Sequence, residues 1–434
     1  MALLLLGQPE ATAQAPTSPW VEGEFIVKFN DQSVGELRRE IPQLQNYSDQ
    51  QIEGALTSIL GAASTDALPL IDAQGIRATS GDELDIDTAV DLLDSGLVDY
   101  ISPNFIRTIN AIPNDPSFGS LWGLNQGNDI DINAPEAWDK LDNSQASDII
   151  VGVVDTGVDY SHSDLAANIW TNTAEANGRA GVDDDGNGIV DDIHGYNAIT
   201  GSGNPFDDHS HGTHCSGTIG GVGNNGVGVT GVAWRVKIMG LKFLSSTGSG
   251  SDIDAIKAIS YAITMRNVNG QLKVLSNSWG GGGYNPALRD VIARANDAGI
   301  LFVAAAGNSN SNNDVTANYP SNYEVANVVA VAAIAANGTK ATFSSYGATM
   351  VDLAAPGVGI TSTVPGNSYA SYNGTSMATP HVSGVAALMY SKVPQYSPEE
   401  ARANLLANVK PIAALNGLMV APGVVDASAV LANP

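Results

Sequence analysis

Apolar and polar positions follow two different rhythms along this chain, and the change falls near residue 110. Glu24-Phe25-Ile26-Val27-Lys28-Phe29 alternates as a strand with one buried face does. Helical patterns follow around 49–60 and from Asp85 or Asp87 to about Leu93, and 98–104 reads as a closing strand. This strand–helix–helix–strand order predicts a small α+β domain over 20–110. Beyond it, short and almost unbroken apolar runs at 149–154, 237–241, 274–276, 301–306 and 328–333 predict strands buried on both faces. Between and after them, 252–266, 286–298 and 375–390 have helical length and spacing. The prediction is an α/β, doubly wound parallel sheet over 111–434. Residues 111–126, rich in Pro, Asn, Gly and Ser, read as a linker with an attached N-terminal arm. No fixed-period repeat interrupts this plan.

Composition narrows the partners. A formal net charge of −26 opposes nucleic-acid binding, which needs clustered Lys and Arg. It fits cation binding or a solvated acidic surface. No stretch reaches the roughly 20 apolar residues of a spanning helix, so no membrane partner is expected. Cys215 is the single cysteine, which excludes an intramolecular disulfide and leaves bound metal as another means of stapling the fold. Ala13-Gln14-Ala15, after a short apolar run, resembles the end of a secretory signal with cleavage after Ala15; residues 1–15 are read as a signal remnant and export is expected. A frayed terminus is the alternative.

Three segments concentrate the chemistry. The strand at 149–154 runs into Asp155, in Val-Val-Asp-Thr-Gly; a carboxylate at the C-terminal end of a parallel strand lies at the ligand edge of a sheet. His211 opens His-Gly-Thr-His-Cys-Ser-Gly. Ser376 stands in Asn-Gly-Thr-Ser-Met-Ala-Thr-Pro-His at an expected helix start, beside free backbone N–H groups. A serine hydroxyl is a weak nucleophile that needs a histidine base, and the base needs an orienting carboxylate. Taken singly, each has an ordinary reading: Asp155 and Ser376 as caps, His211 as a loop residue.

Together and in this order, the three segments resemble the signatures of subtilisin-like serine proteases, with local likeness to thermitase-like and proteinase K-like members. The resemblance spans 115 to about 409. It implies a subtilisin-like catalytic domain with Asp155, His211 and Ser376 as the triad, and serine endopeptidase activity on protein and peptide substrates. Chain order opposes an α/β-hydrolase lipase or esterase, in which Asp and His follow the serine. Ala304-Ala305-Ala306-Gly307-Asn308 resembles the family strand whose asparagine completes an oxyanion hole. Ser278-Trp279-Gly280 resembles the edge that pairs with substrate backbone. With Ala304–Gly307 it would wall a pocket of broad specificity favouring large apolar side chains, with Asn318 at its floor. His214 is expected to be structural and Cys215 a buried small apolar residue. A catalytically idle protein on the same fold is the rival reading.

Asp183-Asp184-Asp185-Gly186-Asn187-Gly188-Ile189-Val190-Asp191-Asp192 matches an EF-hand-like calcium loop, with oxygens from Asp183, Asp185, Asn187, the Ile189 carbonyl and Asp191. His194 stands where the closing glutamate belongs, and an acidic surface turn is the alternative. The resemblance implies a second calcium site from Asp115, Asp164 and Asn225 with carbonyls of Val222, Val227 and Val229. It also makes 20–110 a propeptide, inhibitor and folding template at once, with self-cleavage between about Asn110 and Asn114; a permanent accessory domain is the alternative. A monomer is expected.

Overall fold

The computed structural model describes residues 20–59, 62–70, 72–78, 93–105, 112–141 and 148–432. It divides into two compact units, 1–109 and 110–434. The first holds a four-stranded antiparallel sheet in the order β2-β3-β1-β4, from β1 (Trp20–Phe29), β2 (Ala62–Leu68), β3 (Ala73–Ala78) and β4 (Val98–Phe105). Helices α1 (Asp31–Glu40) and α2 (Asp49–Ile59) share its core, in which Val27, Phe29, Val34, Ile52 and Ile76 are buried. The alternating pattern at 24–29 and the closing strand are therefore present. The pair β2 and β3 departs from the expected strand–helix–helix–strand order: Ala-Ala-Ser-Thr-Asp-Ala-Leu and Ala-Gln-Gly-Ile-Arg-Ala carry little β-branched signal, and they depend on pairing with each other and, through β3, with β1. The helix expected from Asp85 or Asp87 lies outside the described residues except for its end.

The second unit is built on a nine-stranded sheet in the order β14-β15-β11-β10-β9-β8-β5-β7-β6. Its strands are β5 (Ile150–Asp155), β6 (Gly195–Asn197), β7 (Lys237–Lys242), β8 (Leu272–Asn277), β9 (Leu301–Ala305), β10 (Val328–Ile334), β11 (Leu353–Pro356), β14 (Val409–Pro411) and β15 (Gly423–Val425). All neighbours are parallel except β14 with β15. A separate hairpin joins β12 (Ile360–Val364) to β13 (Ser368–Tyr372). The five strands read from apolar runs form the middle of the sheet. The short strands β6, β11, β14 and β15, too brief for a periodic signal, extend it on both sides.

Burial on both faces explains the unbroken apolar runs. Val151, Val153, Val274, Leu301 and Val303 point into one core, while Ile150, Val154, Leu275, Phe302 and Ala304 point into the other. Helices α6 (Asp252–Asn269) and α7 (Pro286–Asp297) cover the second face. The first is covered by α3 (Ala134–Trp138), α5 (His211–Gly220), α8 (Thr375–Lys392), α9 (Pro398–Ala407) and α10 (Ala427–Ala432); α4 (Thr173–Ala176) is a single turn in the long β5–β6 connection. Residues 112–126 behave as a packed arm rather than a linker, since Phe118, Leu121 and Leu124 are buried in the first core.

Helix α8 is buried on every side from Thr375 to Tyr390, which is why its sequence lacks a polar face. Its packing is tight at Gly384, where an added Cβ would lie 2.6 Å from Cβ of Val232. Overpacking of this kind costs about 1–3 kcal/mol. Gly384→Val is therefore expected to lower the urea midpoint with an unchanged m-value; an unchanged midpoint would contradict the close approach.

Candidate active site

The order of strands reverses around β5: the chain passes from β5 to β6 and β7 on one side, then returns to β8 on the other. Crevices at such a switch point form beyond the C-terminal strand ends, where ligands bind. Asp155 ends β5 there, fully buried. Its Oδ1 lies 2.8 Å from Nδ1 of His211, the first residue of α5. Gly212 permits this approach. A Cβ on it would stand 2.2 Å from the Gly157 carbonyl oxygen and 3.1 Å from Cβ of Asp155. Burial works against a charged His211, but the adjacent Asp155 carboxylate, through its charge and hydrogen bond, outweighs it and raises the imidazole pKa above its ordinary value.

Ser376 enters from the first turn of α8. Pro380, four residues on, has no N–H, so the Ser376 carbonyl lacks its helical donor. The Ser278 hydroxyl donates to that carbonyl instead, at 2.9 Å, and the Ser376 hydroxyl donates to the Ser278 carbonyl at 3.0 Å. This reciprocal pair binds the start of α8 to the end of β8. His211 and Ser376 line one open cleft of about 800 Å³.

Asn308 borders the same cleft. Its Oδ1 accepts from the backbone N–H and the hydroxyl of Thr375, at 2.9 and 3.0 Å. With the carbonyl end occupied, the amide Nδ2 is the group left to donate. Gly307 precedes it at φ 106, a left-handed conformation that favours glycine. The cleft is walled by Ser278-Trp279-Gly280 on one side and by Ala305, Gly307 and Asn308 on the other. Ala304 and Ala306 are fully buried behind the second wall, facing the core. Asn318 lies between the walls: its Nδ2 is 3.4 Å from the Ala305 carbonyl, and a Cβ on Gly280 would meet it at 2.9 Å. The sequence reading missed a further border of Phe243, Leu244 and 247–252, whose signal was its position just past the end of β7. Phe243 meets Trp279 edge-on at 4.7 Å.

The neighbours of His211 on α5 are inert. His214 Nε2 is within 3.1 Å of the Ile360 and Ala370 carbonyls, its ring stacks on Tyr372, and burial holds its pKa down to about 4. Cys215 is fully buried, which pushes its thiol pKa up.

Two acidic clusters lie elsewhere in this unit. In the first, carboxylate oxygens of Asp183 and Asp185 come within 4.8 Å of each other and of Glu175. Glu175 comes from the one-turn helix α4, eight residues before the loop; no spacing rule would have found it. Its Oε1 also accepts from the N–H groups of Asp184 and Asp185, and its Oε2 from that of Asp191. The Asp191 carboxylate, expected as a ligand, is outside this cluster and accepts from Gly181 N–H through both oxygens. Asn187 turns its amide to Asp185 and Asp192, and its Oδ1 accepts from Ile189 N–H. In the second cluster, Asn225 donates to Asp164 at 2.8 Å, the Val229 N–H donates to the same carboxylate, and the Val222 N–H to its backbone carbonyl. Val227 N–H donates to Asn225, while Asp115 accepts from the N–H groups of Asn224 and Asn225. Burial raises the pKa of both Asp115 and Asp164, and the charge of Asp115 adds to the effect on Asp164.

Comparison with known proteins agrees with this geometry. The chain belongs to the subtilase family (Peptidase_S8), which matches residues 146–421. It is 37% identical to thermitase of Thermoactinomyces vulgaris over 280 residues, 64% of this chain and 86% of that protein. It is 36% identical over 302 residues to subtilisin-like protease 1 of Plasmodium falciparum (isolate 3D7), 65% of this chain but 42% of that protein, so it spans less than half of this relative. A solved structure of a protease from Pseudoalteromonas arctica PAMC 21717 aligns with a TM-score of 0.62 at 30% identity, covering 74% of this chain and 99% of that one.

The raised His211 pKa rests on the negative charge of Asp155. Removing that charge destabilises the imidazolium, so Asp155→Asn is expected to move the His211 titration to lower pH. NMR of histidine-labelled protein reads the midpoint directly, and a midpoint that stays in place would refute the assignment.

Proposed function

We propose that this chain is the precursor of an exported, calcium-stabilised serine endopeptidase, with Ser376 as nucleophile, His211 as general base and Asp155 as its orienting carboxylate. The observation that carries the reading is the Asp155–His211 hydrogen bond opening on the cleft that holds Ser376 and Asn308. Rotation about the Ser376 Cα–Cβ bond takes its hydroxyl from the Ser278 carbonyl toward His211 Nε2. His211 removes the proton as Oγ bonds to the substrate carbonyl carbon. The oxygen that gains charge faces Asn308 Nδ2 and the Ser376 N–H, one of the amides a helix start leaves free. The imidazolium then protonates the departing amine, the C–N bond breaks, and an acyl group remains on Ser376. Water, deprotonated by His211, releases the acid and restores the serine. A substrate strand laid along 278–280 and beside 304–307 would be read mostly through its backbone, which favours broad specificity and large apolar side chains.

The first unit, with its own core, is read as the propeptide, an inhibitor and folding template cleaved between about Asn110 and Asn114. Parallel sheets form from non-local contacts and fold slowly, which gives a template its use. Ala13-Gln14-Ala15 supports export, and among the described residues no helix is long and apolar enough to cross a membrane.

Both acidic clusters fit a hard cation. Their carboxylates are oxygen donors, those of Glu175, Asp183 and Asp185 lie within 4.8 Å of one another, and among the described residues these three, Asp115 and Asp164 take part in no ion pair. Glu175 supplies the carboxylate that His194 cannot, which extends the ligand set expected from the loop. Bound calcium would neutralise these carboxylates and tie the 112–126 arm to 222–229.

A fluorophosphonate probe is expected to label Ser376 in the processed chain, with casein cleaved in parallel, while Ser376→Ala accumulates as the unprocessed precursor. An intact Ser376 that takes no label, with no casein cleavage, would establish an idle protein on this fold. Adding a chelator is expected to lower the melting temperature of Ser376→Ala protein; a ligand at 100 times its Kd contributes about 2.7 kcal/mol. A melting temperature indifferent to chelator and to added calcium would remove the metal from the reading.

A further inference from the structure

A second carboxylate stands behind His211. Asp207 is 1% exposed, and five donors converge on it. Its Oδ1 accepts from the His209 and Ser210 N–H groups at 2.9 and 3.0 Å and from the Thr156 hydroxyl at 2.8 Å. Its Oδ2 accepts from the Thr213 N–H at 2.9 Å and the Thr213 hydroxyl at 2.6 Å. None of the ion pairs among the described residues includes it; Lys242 pairs instead with Asp208 at 2.7 Å.

These bonds join the backbone on both sides of His211 to the residue after Asp155. Thr156 follows Asp155 directly, and its Oγ1 also accepts from Gly212 N–H at 2.9 Å. The Thr213 bond satisfies a first-turn amide of α5, whose capping position, Ser210, makes no side-chain cap bond of its own. Ser210 is held at φ 112, a left-handed conformation rare for serine, by Asp207 and by a 3.0 Å contact with the Tyr372 hydroxyl. Thr156, which follows Asp155, and Ser210, which precedes His211, are thus tied directly to one carboxylate, and Gly212, which follows His211, is tied to it through the Thr156 hydroxyl.

We propose that Asp207 is a positioning residue for His211: it locks the 207–213 turn to Thr156, aims the imidazole at the cleft, and adds a second negative charge to its surroundings. The proposal rests on the protease reading and deepens it. Burial pushes the Asp207 carboxyl upward, but its donors outweigh burial and hold it below the ordinary aspartate range, so it stays ionised where the enzyme would work. Its charge acts on His211 in the same direction as that of Asp155. The other titratable groups around the imidazole are His209, 6.4 Å away ring to ring, the Asp208–Lys242 pair, and Cys215, His214 and Tyr372. Burial keeps Cys215 and His214 neutral near pH 7.

The test uses the full chain with Asp207→Asn, Thr156→Val and Thr156→Ser, each made in the otherwise unaltered protein for kinetics and in Ser376→Ala for NMR titration of His211. Asp207→Asn is expected to move the His211 midpoint to lower pH and to lower kcat by about tenfold or more, with KM within about twofold. Thr156→Val keeps the charge, so it lowers kcat and leaves the midpoint in place; Thr156→Ser keeps the hydroxyl and restores kcat. A lowered melting temperature with midpoint and kcat unmoved overturns the proposal in favour of a structural role. If Asp207→Asn does not fold, unchanged kcat in Thr156→Val overturns it, as does equal loss in Thr156→Ser. Failure of the fluorophosphonate to label the unaltered chain would sink the protease reading instead, and the titration still decides the role of Asp207.

Discussion

The hydrogen bond between Asp155 and His211 is the contact on which the rest of the site depends. It requires a charged carboxylate at the end of a fully buried interior strand, where desolvation is costly. The fold meets that cost locally. A glycine lets α5 come within contact of β5, the histidine takes one oxygen, and the Thr156 N–H donates to that same oxygen at 2.7 Å. The other oxygen, Oδ2, is buried and has no hydrogen-bond partner among the described residues.

The same economy governs the other buried acids of this strongly acidic chain. Asp352 is paired with Arg402 and also accepts from the Ala330 N–H. Asp192 takes the Tyr261 hydroxyl and the amides of Asn172 and Asn187. Asp207 is met by backbone and hydroxyl donors alone. Burial raises the pKa of Asp115 and Asp164, as it does for Asp352 and Asp192, and Glu175, Asp183 and Asp185 crowd together. The clusters proposed for calcium are therefore held by neutral amide and hydroxyl donors with no cation among the ion pairs of the described residues, whereas Asp352 has the Arg402 guanidinium.

The serine side of the site is built differently. There the decisive element is a missing donor: Pro380 frees the Ser376 carbonyl, Ser278 fills the gap, and the nucleophile's helix becomes attached to the strand edge that flanks the cleft. Asn308, held through Thr375, joins the end of β9 to the same helix start. Strand ends and helix starts are thereby cross-linked pairwise, and a cleft bordered by several loops keeps one shape.

The sequence by itself determined the central strands, the long helices and the segments carrying Asp155, His211, Ser376 and Asn308. Those features are written in local periodicity and in contiguous motifs whose residues act close to where they stand. Tertiary structure decided the rest. The β2–β3 pair and the edge strands are held by partners distant in sequence, and the 112–126 arm is packed by a core its own composition does not announce. Glu175 reaches the 183–191 loop across a fold of chain, in place of Asp191. Asp207 acquires its meaning only when β5, α5 and the turn between them meet, because a carboxylate's partners are fixed by packing in space and leave no period in the sequence.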